Sequence, residues 1–244
     1  MVRGRAEGES GRLRARARRV PPSHPPTPHL PSSPPLRAGF PGADAEFDTA
    51  CAWLAAAPAV AGSRGPLLDL SCGSGLFSRR FAASPLFDGV IAADYSESML
   101  RTAAAGLAAD GVAPGRYLPL RVDAGRLPFA NASLAAVHAG AALHCWPAPG
   151  LAVAEVGRVL KPGGVLVAST FLDAAAPLGA LLGDETASKL ASLVPAASAT
   201  NGAYRWWSEA ELRDVCAAAG LVDFRRWRRA RFIMFSARKP TAAE

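Results

Sequence analysis

Between residues 66 and 170 the chain alternates short apolar runs with stretches of helical period, and few architectures accept that alternation. Strands are expected at Pro66–Leu70, Gly89–Asp94, Tyr117–Val122, Leu134–Ala139 and Val165–Thr170. Between them fall the segment Leu76–Ala83 and a helix capped by Ser96, with Met99, Leu100, Ala103 and Leu107 on one face. A further helix, from about Pro149 to Leu160, brings Val153, Val156 and Leu160 together before Pro162-Gly163-Gly164 stops it. Strands alternating with helices give a parallel sheet covered on both faces.

Farther along, Ser208 and Glu211 form a capping box for a helix whose Leu212, Val215, Cys216 and Ala219 share a face, and Gly220 ends it. Leu221–Trp227 and Phe232–Ala237 lie close enough to form an antiparallel hairpin. The expected fold is α/β: a doubly wound, mostly parallel seven-stranded sheet with a C-terminal antiparallel hairpin. Residues 172–203 are Ala-rich with weak periodicity and receive no firm assignment.

The 244 residues include 27 Lys+Arg against 20 Asp+Glu, a balance that suggests a nucleic-acid or membrane-surface binder. The excess is local, however. Residues 1–37 hold eight arginines and two glutamates, which leaves 19 basic and 18 acidic side chains for residues 38–244. That body is nearly neutral, so nucleic acid is not expected as a partner, and its size suits one domain. The leader, 1–37, is Arg-rich to residue 20 and carries eight prolines from Pro21 to Pro35, a composition that stays solvated and extended. Two readings of it stand side by side: an organelle transit peptide, or a disordered leader or mispredicted gene start.

Cysteines at 51, 72, 145 and 216 show no C-x-x-C and no metal-ligand spacing, so they read as reduced thiols and no metal is expected. Leu127–Ala154 lacks Asp, Glu, Lys and Arg, yet Asn131, His138, His144, Pro147 and Pro149 argue against a lipid-facing helix.

The chemistry concentrates at the end of the first strand, in Asp69-Leu70-Ser71-Cys72-Gly73-Ser74-Gly75. Glycines there let the main chain approach a ligand, and the next helix offers free N–H groups. Asp94 ends the second strand 21 residues after Gly73, where a carboxylate can accept from both hydroxyls of a ribose. Ser78 stands in the place of the third glycine of G-x-G-x-x-G, which counts against a dinucleotide and hence against an NAD(P)-dependent oxidoreductase.

This stretch resembles the first motif, D-x-G-x-G-x-G, of class I S-adenosylmethionine-dependent methyltransferases, with Ser71 where that family most often has Gly. Asp94-Tyr95-Ser96, Val122-Asp123-Ala124 with Leu127-Pro128-Phe129, and Arg158-Val159-Leu160-Lys161-Pro162-Gly163-Gly164 resemble its later motifs, in its order. The likeness covers roughly residues 65–171 and is to the broad type 11 group. A narrower similarity, carried by Gly39-Phe40-Pro41-Gly42, Ser71–Arg79 and Ala139–Pro147, is to plastid-associated methyltransferase-like proteins of plants and algae. The resemblance implies a Rossmann-like fold, S-adenosyl-L-methionine as cofactor and a chloroplast location, or failing that a cytoplasmic one.

It also implies roles. Gly73 and Gly75, with Ser71 beside them, let the main chain pass the methionyl part, and Asp69 holds its ammonium group directly or through water. Asp94 takes the ribose, Tyr95 the adenine face, Asp123 the adenine amino group and the Ala124 N–H a ring nitrogen, while Gly140 gives clearance. His144, after the fourth strand, is the candidate general base. Trp146, Tyr204, Trp206 and Trp207 are candidate walls of an acceptor pocket and residues 172–207 its lid. The expected reaction moves a methyl group to a small apolar organic acceptor, quinone- or pigment-like. The alternative is a binding or scaffold protein of the same fold without turnover. The run Arg225, Arg226, Arg228, Arg229 and Arg231 reads as a solvated edge hairpin, with peripheral lipid contact as the sharper alternative.

Overall fold

The protein is described by a computed structural model over residues 39–62, 65–173 and 205–244. Its strands are β1 (Pro66–Leu70), β2 (Gly89–Asp94), β3 (Tyr117–Arg121), β4 (Leu134–Ala139), β5 (Leu160–Phe171), β6 (Val222–Arg229) and β7 (Phe232–Arg238). They form one seven-stranded sheet in the order β3-β2-β1-β4-β5-β7-β6. The first five run parallel, and β7 pairs antiparallel with β5 on one side and β6 on the other. This is the expected mostly parallel α/β sheet with its C-terminal hairpin. The described helices are α1 (Ala43–Ala55), α2 (Pro58–Ala61), α3 (Leu76–Ala83), α4 (Glu97–Ala109), α5 (Pro149–Val159) and α6 (Glu209–Ala218).

Alternation along the strands divides the core in two. Leu67, Val90, Val165 and Val167 point toward one set of helices, burying Ala50 and Leu54 of α1, Phe81 of α3 and Leu107 of α4. Leu68, Leu70, Val137 and Leu166 point the other way, against Val153 and Val156 of α5 and Leu212 of α6. Each such side chain contributes about 1.5–3 kcal/mol on burial, and no single one decides the fold.

Local signals set most helix ends. The Ser96 hydroxyl accepts the Met99 N–H at the start of α4, and the complete Ser208–Glu211 capping box opens α6. Three details differ from expectation. Met99 turns to solvent, and the buried face of α4 is Leu100, Ala103 and Leu107. α5 stops at Val159 because Leu160 already pairs with Leu134, so Pro162-Gly163-Gly164 lies inside β5 and not after a helix. α1 and α2 were not expected, since their Ala-rich sequences give little contrast between faces.

The strand order reverses between β1 and β4, whose chains leave toward opposite sides of the sheet. Such a switch point opens a crevice at the carboxyl ends of the strands, where ligands of open α/β sheets bind.

Candidate functional site

The β1–α3 turn forms one wall of this crevice. Ser71, Gly73 and Gly75 have φ of 61°, 54° and 81°. A Cβ at Gly73 would meet nothing within 4 Å, whereas one at Gly75 would lie 2.7 Å from Ala103 Cβ. Gly75 thus lets α3 close on α4, and Gly73 leaves a bare stretch of main chain facing open space. The Gly73 N–H donates to Asp94 Oδ2 at 2.9 Å, and the Ser96 N–H donates to Oδ1 at 2.8 Å. Two main-chain donors therefore fix the Asp94 carboxylate, and each oxygen keeps a further lone pair for a ligand hydroxyl. This bare turn and fixed acceptor suit a nucleoside cofactor.

Tyr95 is exposed beside Asp94, with the Arg121 guanidinium 5.3 Å over its ring. Asp123 is also exposed, its Oδ1 accepting the Gly125 N–H at 2.9 Å, and Ala124 is half-buried against the core.

Asp69 lies near the end of β1. It is 2% exposed, it accepts from the Ser78 hydroxyl at Oδ2, and His138 Nδ1 lies 2.8 Å from Oδ1. Phe77 and Phe81 cover the imidazole with ring centroids 5.0 Å away. Ser78 of α3 and His138 of β4 thus tie the Asp69 carboxylate to the first turn of α3 and to the neighbouring strand. A Cβ at Gly140 would come 3.0 Å from His138 Cε1 and 3.3 Å from the Phe77 ring.

Two further residues, not singled out from sequence, belong to this interior cluster. Glu46 of α1 is 2% exposed and accepts a hydrogen bond from the Ser169 hydroxyl of β5. The Ala141 N–H in turn donates to Ser169 Oγ at 2.8 Å. Burial pushes the Glu46 carboxyl above its ordinary range, and the Ser169 bond draws it partly back.

On the acceptor side, His144 sits in a 3₁₀ turn, Leu143–Cys145, with Nδ1 3.1 Å from Thr170 Oγ1. Burial pushes its pKa down to about 4, so it is neutral at pH 7. Trp146 is buried and donates from Nε1 to Ser71 Oγ at 2.8 Å. Trp207 lies in the core, not along a pocket wall, and Trp206 lies under the Arg231 guanidinium at 4.5 Å. Tyr204 and most of the expected lid, residues 174–204, fall outside the described residues.

Two arginines of the basic run form ion pairs with a buried carboxylate. Arg226 and Arg228, with Arg213, converge on the buried Glu209. Among the described residues no group of His, Cys, Asp or Glu could hold a metal, and no helix is long and apolar enough to cross a membrane.

Residues 68–168 match the model of a methyltransferase domain. Over 205 residues the chain is 46% identical to an uncharacterized chloroplastic methyltransferase of Arabidopsis thaliana, covering 83% of this chain and 54% of that one. The chain thus spans about half the length of that relative. A demethylmenaquinone methyltransferase of Clavibacter sepedonicus is 40% identical over 119 residues, 49% of this chain and 45% of its own. The fold is shared with the magnesium protoporphyrin IX methyltransferase of Synechocystis, solved with bound SAH, at a TM-score of 0.56 and 18% identity over 79% of this chain and 81% of that one.

Proposed function

We propose that this chain is an S-adenosylmethionine-dependent methyltransferase acting in the chloroplast on a small, apolar organic acceptor of quinone or pigment type. One observation carries the cofactor assignment: the Asp94 carboxylate, held by the N–H groups of Gly73 and Ser96, borders Gly73, where an added Cβ would meet no atom within 4 Å. A fixed double acceptor beside exposed main chain suits the ribose of a nucleoside. Ser78, bonded to Asp69 at the third-glycine position, departs from the turn that dinucleotides use.

When bound, S-adenosylmethionine supplies an already activated methyl carbon, so the protein has mainly to align the acceptor and exclude water. Asp94, Tyr95, Asp123 and the Ala124 N–H hold the adenosine end, and Gly73 and Gly75 present main chain to the methionyl end. The loop from Ala141 to Trp146 borders the acceptor side. His144, with a pKa near 4, orients an acceptor hydroxyl as a hydrogen-bond partner and keeps a proton only briefly.

The acceptor class draws on the printed names of the quinone and porphyrin methyltransferases, and the location on that of the chloroplastic relative. The near-neutral body agrees with an uncharged substrate.

Calorimetry with S-adenosylhomocysteine and with NADP is the test. Binding of the first and not the second is expected, and the reverse overturns the reading. Incubation with methyl-labelled cofactor and fractionated plastid extract then tests the acceptor. Label is expected in the lipid-soluble fraction, and label in protein or nucleic acid overturns that part. Binding with no transfer to any fraction points to the scaffold alternative.

A further inference from the structure

Asp69, His138 and Ser169 stand on the same face of three adjacent strands, β1, β4 and β5, toward α1 and α3. Their neighbours on that face are apolar, and polar groups are retained in such a place only when each is satisfied. The Asp69–His138 pair is satisfied within the sheet, with Ser78 of α3 completing the carboxylate. Ser169 is different. Its hydroxyl proton goes out of the sheet to Glu46 of α1, and its lone pair receives the Ala141 N–H at 2.8 Å.

Ala141 is the second residue beyond β4 and has a φ of 48°, a left-handed conformation that alanine enters at a cost of roughly 1 kcal/mol. Something has to hold it there, and the hydrogen bond from its N–H to Ser169 is the observed restraint. A serine hydroxyl has one proton, and its direction decides where the lone pairs point. With Glu46 taking that proton, the lone pair is left for the Ala141 N–H.

We propose that Glu46 is a positioning residue of the cofactor site, acting through Ser169 to hold Ala141 and so the loop that leads to His144 and to Trp146, whose indole is bonded to Ser71 of the cofactor turn. The proposal rests on the cofactor assignment above. It makes α1, a helix outside residues 68–168, a working part of the site.

The test uses the full chain and the variants Glu46→Gln, Glu46→Ala, Ser169→Ala and the double variant Glu46→Ala/Ser169→Ala. Amide hydrogen exchange across residues 140–142 is read in the cofactor-free protein, and S-adenosylhomocysteine affinity by calorimetry. Glu46→Ala and Ser169→Ala each speed exchange and weaken binding roughly three- to tenfold, the worth of one hydrogen bond. The double variant stays within about twofold of the stronger single one, because both act through one chain of contacts. Glu46→Gln stays within about twofold of the unaltered protein, since its amide oxygen still accepts from Ser169. Unchanged exchange in Glu46→Ala, effects that multiply in the double variant, or a Glu46→Gln as impaired as Glu46→Ala would each overturn the proposal. If Glu46→Ala does not fold, Glu46→Leu, which fills the volume, takes its place. Failure of the unaltered chain to bind S-adenosylhomocysteine defeats the cofactor assignment, and with it the positioning role, whatever the exchange shows. Normal binding by a folded Glu46→Ala defeats the positioning role alone.

Discussion

The indole N–H of Trp146 donates to the hydroxyl of Ser71 at 2.8 Å, joining the turn after β1 to the loop after β4 across the switch point. Ser71 makes this bond from a φ of 61°, where glycine would be at ease. Ser71→Ala keeps the strained conformation and leaves the buried indole unpaired, so it is expected to lose about 1–3 kcal/mol. Ser71→Gly loses the same bond but recovers roughly 1 kcal/mol of backbone strain. Urea denaturation should rank the original chain first, Ser71→Gly second and Ser71→Ala last. A more stable Ser71→Ala would mean that the bond contributes nothing.

Gly73 and Gly75 separate stability from binding. An added Cβ at Gly73 meets no atom within 4 Å, so Gly73→Ala should cost only the backbone strain, about 1 kcal/mol. The methyl group would nevertheless stand in the open side of the turn, and S-adenosylhomocysteine binding should fall by at least about tenfold, or 1.4 kcal/mol. Gly75→Ala drives its Cβ to 2.7 Å from Ala103 and should cost more, about 2–4 kcal/mol with the strain included. Equal effects of the two on the melting temperature would contradict this division.

His144 should make stability depend on acidity. Its pKa falls from 6.5 to about 4 because burial penalises the imidazolium. As pH drops through 6.5 the unfolded chain takes up a proton that the folded chain refuses, so stability is full above that pH and declines toward pH 4. The loss across that window is on the order of 3 kcal/mol. Comparing urea midpoints at pH 7 and pH 4.5, His144→Gln should show a smaller drop than the original chain. An identical drop would place the acid sensitivity elsewhere.

Glu209 gathers three arginines unequally. Arg228 is 8% exposed at its side chain and Arg213 56%. Glu209→Gln deprives a buried guanidinium of its carboxylate and should cost about 3 kcal/mol. Arg213→Ala removes a solvated partner and should cost under about 1 kcal/mol. Thermal unfolding of the two variants distinguishes them, and near-equal shifts would show that burial of Arg228 does not govern the cluster.

What the sequence reveals about this molecule depends on how far apart the interacting groups lie. β1, β2 and β4 are legible as apolar runs because helices cover both faces, and Ser208 with Glu211 announces α6 within four residues. The turn glycines and Asp94 are legible because their spacing, 21 residues from Gly73 to Asp94, follows from one strand-helix-strand unit. Glu46 is invisible in the same reading, since Ser169 is 123 residues away and Ala-rich α1 gives no reason to seek a buried acid. The Trp146–Ser71 bond, 75 residues apart, is hidden for the same reason. Asp69, His138 and Ser169 are legible as polar interruptions of otherwise apolar strands, and the strand register puts them on one face. The imidazole beside Asp69 is hidden in the same way, because His138 comes from another strand 69 residues away.

The sheet order has a last consequence, for the chain during synthesis. β7 lies between β5 and β6, yet it leaves the ribosome after both of them. Until Phe232–Arg238 emerges, the edge of β5 from Val165 to Phe171 has no neighbour, and Val222–Arg229 has nothing to pair with. The β5 side of the sheet is therefore completed by insertion, with β7 entering between two strands already made. A chain released before Phe232 would be left with an open apolar edge on β5 for other nascent chains to find.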